Sequence, residues 1–152
     1  MAMDNDGTFK TALNKLSGAG QRQVAALFAE NVLSLSNDPR VKAAINSVKQ
    51  TDLTDNELDD IYKSAKKASI DSFTRCGAEC DWSGQAGHFV AQAVLSCLKP
   101  AGPNDSPAWD AAMHARMART SASIATGIGT DNAESAAQYR ILDKFLAEGK
   151  AS

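Results

Sequence analysis

The side chains of this chain best suited to metal or nucleophilic chemistry are three cysteines and two histidines. Cys76 and Cys80 form a Cys-x3-Cys pair, a spacing found in structural zinc sites, with His88 and Cys97 further along. On a helix, however, His88 and Cys97 stand about 13 Å apart along the axis, so one ion cannot reach both. Free cysteines are commonly small buried hydrophobes, and that reading fits these better. A Cys76–Cys80 disulfide requires the chain to leave helical geometry there. Asp110, His114 and Ser121 share one strip of another helix and carry the side-chain types of a hydrolase triad. Asp110 and His114, at i and i+4, are close enough to bond. Ser121 lies about 10 Å beyond His114, outside proton-transfer reach, so the strip is expected to be a solvated seam. Gly127-x-Gly129 follows no strand and is not a phosphate loop. The expectation is a protein without catalytic residues, metal or cofactor.

A different chemistry is suggested by Asp52, Asp55, Glu57, Asp59 and Asp60, five carboxylates within nine positions. Acids at a helix start complement its dipole, but this many also form a field that can steer a basic partner. Trp82, beside Asp81 in a polar break, reads equally as a lid on the core or an exposed anchor. With His88, on the polar stripe of the next helix, these residues are the candidates for partner binding.

The elements that position them are helices. Residues 85–99 place Gln85, His88, Gln92, Ser96 and Lys99 on one narrow stripe and apolar or small residues everywhere else. A helix apolar over most of its girth is packed on several sides, so the segment 84–99 is expected at the centre, with Ser83 as N-cap. Gln92→Ala on the polar stripe is expected to be nearly neutral. Apolar periodicity predicts further helices over 8–17 (closed by Gly18), 19–36, 39–50, 54–75, 106–127 and 131–149. Asp38-Pro39, Thr54-x-x-Glu57, Ser106-Pro107 and Asp131-x-x-Glu134 supply helix starts. In the fourth helix Asp59 pairs with Lys63 and Asp71 with Arg75 at i+4. The sixth is expected to have two packing faces, bulky (Trp109, Met113, Met117, Ile124) and small (Ala111, Ala115, Ala118, Ala122). With no period-2 alternation, the fold class is all-α: a single-domain bundle of about seven helices over residues 1–152, residues 1–6 being a flexible N-terminus.

At 152 residues the chain can bury a real core without metals or disulfides. A net charge of −2 gives no support to nucleic acid as a partner. No apolar run approaches the roughly 20 residues of a membrane span. The opening residues lack the basic flank and apolar run of a secretory signal, and an odd cysteine count suits a reducing compartment. The expected protein is soluble and cytoplasmic, with no membrane partner.

Ala86-Gly87-His88-x-Val90-Ala91-x-Ala93 resembles the A-G-H-x-V-A-x-A helix of a family of bacterial immunity proteins, the fifth numbered group, from polymorphic-toxin systems. Ala29-Glu30-x-Val32-Leu33 is similar to its A-E-x-V-L, Pro39-Arg40 with Ala44-Ile45 to its P-R-x-A-I, and 138–142 to its glutamine–leucine C-terminal helix. Val94 stands where that helix often has a second histidine, and no tryptophan closes the third helix. The resemblance implies an all-helical cytoplasmic protein that neutralises a toxin by binding it, with no substrate or cofactor. Two other readings are a phage or mobile-element inhibitor of a host defence complex, and a small helical enzyme or metal-binding bundle using His88, His114 or the cysteines.

Overall fold

The computed structural model describes residues 4–49, 54–76, 81–98, 106–127, 129 and 133–149; Asp52, Cys80 and the side chains of residues 73, 75 and 76 lie outside that set. Its elements are α1 (Asp6–Asn14), α2 (Gly18–Asn31), a 3-10 turn (Leu33–Leu35), α3 (Pro39–Val48), α4 (Asp55–Cys76), α5 (Trp82–Leu98), α6 (Pro107–Ala125) and α7 (Glu134–Ala147). Among the described residues there is no strand, and the fold is the all-α bundle that the periodicity predicts. No described helix is long and apolar enough to cross a membrane.

The centre of the bundle is α5, with Ala86, Val90, Ala91, Ala93, Val94, Leu95, Cys97 and Leu98 all buried. It packs against α2, α3, α4, α6 and the 3-10 turn, most extensively against α6. That contact rests on small side chains, for Ala111, Ala115 and Ala118 are each 0% exposed. The bulky side of α6 packs in part: Trp109 and Met113 lie against the core, Trp109 meeting the Phe9 ring at 6.2 Å. Met117 is 44% exposed, and Trp109, Met113 and Ile124 are only partly buried. Small side chains let α5 and α6 approach closely, while Met117 turns outward.

Several helix starts follow the sequence signals. Asp38 accepts from the Arg40 N–H at 2.9 Å, and Thr54 and Glu57 form the reciprocal capping box at 3.1 and 3.2 Å. Others do not. Ser17 caps α2 by accepting from the Gly20 N–H, so Gly18 opens a helix instead of closing one. The segment read as one helix to residue 36 ends at Asn31 and tightens into the 3-10 turn. Asp81, not Ser83, caps α5, accepting from the Gly84 N–H at 2.7 Å. Ser106 turns its hydroxyl to Asn14 instead of capping α6. Residues 1–3 lie outside the described set, whereas Asn5 caps α1 and Asp6 is tied into the fold, so these two are not the free tail expected.

Buried polar groups fasten α7. Glu134, expected as the last member of a capping box, is instead the first residue of α7 and is 3% exposed. It accepts from Arg119 Nε at 3.1 Å and from Asn31 Nδ2 at 2.8 Å. One turn on, the fully buried Gln138 accepts from Arg116 Nε and donates to the Ala112 carbonyl, both at 2.8 Å. A carboxylate removed from water this far needs such partners.

Candidate functional site

The polar stripe of α5 faces α4. Gln92 Nε2 donates to Ser69 Oγ at 2.7 Å, Ser72 Oγ lies 3.0 Å from His88 Nδ1, and Ser96 Oγ donates to its own helix at the Gln92 carbonyl. The pairs 69–92 and 72–88 run in opposite senses, so α4 and α5 are antiparallel. Ser72 Oγ donates to the Ser69 carbonyl at 2.8 Å, and the direction of its contact with His88 Nδ1 follows the imidazole tautomer. Burial holds His88 below the ordinary imidazole value, partly opposed by a bond to the Ser69 backbone.

The N-terminal ends of α3 and α5 border a cleft of about 530 Å³, a volume in the range of ligand and side-chain pockets. Leu35, Val41 and Ala91 supply apolar lining, and Arg40, Ser83 and His88 supply polar groups. Arg40 grips Asp38 through Nε at 3.0 Å and Nη2 at 2.8 Å, and reaches Asp71 through Nη1 at 2.8 Å. These bonds, that to Asp38 first, push its pKa further up. Asp71 therefore bridges α4 to α3, a partner that i+4 spacing on α4 did not suggest. Beside the cleft, on the same turn of α5 as Ser83, Trp82 is 46% exposed. It is an exposed aromatic and not a lid.

The acids lie elsewhere. Asp55, Glu57, Asp59 and Asp60 are all exposed on the first turns of α4. Glu57 is occupied in the capping box, and Asp59 pairs with Lys63 at 2.9 Å, which raises the Lys63 pKa. Asp52 lies outside the described residues. From Asp60 to the end of α4, where α5 starts, is about 24 Å along the axis. The candidates close in sequence therefore occupy two separate surfaces: the acids on one, and Asp81, Trp82 and His88 on the other.

The remaining candidates are placed apart as well. Asp110 is exposed, His114 half-buried and Ser121 buried, so this strip is not a solvated seam along its length. Cys97 is buried with Sγ 3.4 Å from the Ala93 carbonyl, and burial pushes its thiol up to about 12. Cys80 lies outside the described residues, as does the side chain of Cys76, so a pairing between them does too. Sequence reasoning missed the parts played by Ser69, Ser72 and Arg40, and of Asp38 it found the cap but not the clasp with Arg40. The serines had a signal: their i, i+3 spacing on the inner side of α4. Comparison with known protein families, curated proteins and solved structures returned no match.

Proposed function

We propose that this chain is a non-catalytic, protein-binding inhibitor of the immunity kind that residues 86–93 resemble, and that it contacts its toxin where α3 and α5 begin. The observation that carries this reading is Trp82: a large aromatic, 46% exposed, on a helical turn fixed by the Asp81 cap. A helical turn formed before the encounter lowers the ordering cost of binding, and tryptophan is enriched among residues that dominate interfaces. The adjoining cleft gives a partner's side chain a recess to fill. On the other surface, Asp55 and Asp60 contribute a negative field toward a basic partner without touching it. The reading is tested by mixing the purified chain with the product of the adjacent gene and following the pair by size-exclusion chromatography. A stable complex whose formation abolishes the partner's toxicity supports the proposal. Failure of any neighbouring product to bind overturns it.

A further inference from the structure

The first helix is anchored in a socket that is built without it. Asp6 takes a two-pronged bond from Arg116, at 2.8 Å from Nη2 and 3.0 Å from Nη1, and a third from the Tyr139 hydroxyl at 2.7 Å. One turn later Phe9 is fully buried, its ring centroid 5.6 Å from Phe28, 6.2 Å from Trp109 and 5.3 Å, edge-on, from Tyr139. The Arg116 guanidinium lies over the Phe9 and Tyr139 rings at 5.6 and 5.9 Å. Leu13, below Phe9, completes the apolar contact.

Three observations separate this socket from its occupant. Arg116 is held from behind, through Gln138 to the Ala112 carbonyl, so its outer fork stays aimed when Asp6 departs. The next helix has its own cap, Ser17, and its start does not depend on α1. And α1 has nine residues, fewer than the roughly 12–15 an isolated helix needs in water. Thr11 is on its exposed side beside Lys10 and Asn14, which touch the Trp109 ring at 4.9 Å and the Ser106 hydroxyl at 3.1 Å. We propose that α1 is a strap that opens as a unit while the rest of the bundle stays folded. The uncovered socket takes a helical segment bearing a carboxylate one turn ahead of an aromatic ring, and the chain's own α1 is the copy it carries. The Arg116 bond keeps Asp6 below the ordinary carboxylate range, so the anchor is ionised at neutral pH.

Hydrogen exchange on the full-length chain tests the opening. The amides of α1 should exchange at least about 100-fold faster than those of Val90 to Leu95 in α5, and Asp6→Ala should speed only the former. A synthetic peptide spanning residues 4–16 should bind the full-length Phe9→Ala variant, and the same peptide with Phe9→Ala should not. Exchange of α1 and α5 at a common rate in the wild-type chain would overturn the strap, whether or not the variants fold. Equal binding, or no binding, of the two peptides would overturn the socket.

Discussion

Gln92 donates to the Ser69 hydroxyl at 2.7 Å, and this bond turns the polar side of the central helix toward α4 instead of water. Ser69 is only 4% exposed, so Gln92→Ala leaves a buried hydroxyl short of a partner. The expected loss is about 1–3 kcal/mol, where the sequence pattern led us to expect near neutrality. Urea unfolding measures it, and an unchanged midpoint would place the stripe in solvent.

Val94, 0% exposed, lies on the broad apolar side of α5. Val94→Asp should cost several kcal/mol, because an uncompensated charge enters the core. Lys63→Ala, on the exposed side of α4, should be nearly silent, since its pairing with Asp59 is solvent-exposed. Equal thermal midpoints for the two variants would contradict the central position of α5.

The α5–α6 contact makes opposite demands on adjacent residues. Ala118 is 0% exposed and Met117 44% exposed. Ala118→Leu should overpack the contact by about 1–3 kcal/mol, while Met117→Ala should be nearly silent. Thermal melts that rank the pair the other way would show that α6 presents a different face to the core.

Acid should weaken the fold in two windows. Burial holds folded His88 below 6.5, so as pH falls the unfolded chain takes up that proton first. Stability is full above pH 6.5 and declines below it until folded His88 also protonates, with a slope of at most about 1.4 kcal/mol per pH unit. Asp6, held below 3.8 chiefly by the Arg116 hydrogen bond, adds a second loss as pH falls below 3.8. Urea midpoints from pH 8 to 3 should show both steps, and His88→Gln should remove the first alone. A first step that survives His88→Gln would mean another group carries it.

How much of this was legible depended on range. Periodicity placed α5 at the centre, and local caps at Asp38 and Thr54 fixed two helix starts, because the interactions involved lie within four residues. Periodicity also showed that His88, Gln92 and Ser96 share a side, but not that the side meets Ser69 and Ser72. The clasp of Arg119 on Glu134 spans 15 positions and that of Arg116 on Asp6 spans 110. Spacing along one helix carries no information about either. For the same reason the cleft, assembled from four segments, was invisible.

The proposed contact is tested most directly by the dissociation rate of Trp82→Ala from the product of the adjacent gene, measured by surface capture beside Asp55→Lys/Asp60→Lys. Losing the exposed ring should speed dissociation at least about tenfold with little change in association. The charge reversals should instead slow association several-fold at low salt and leave dissociation nearly unchanged. A dissociation rate indifferent to Trp82→Ala would contradict the assignment of the α5 start as the binding face.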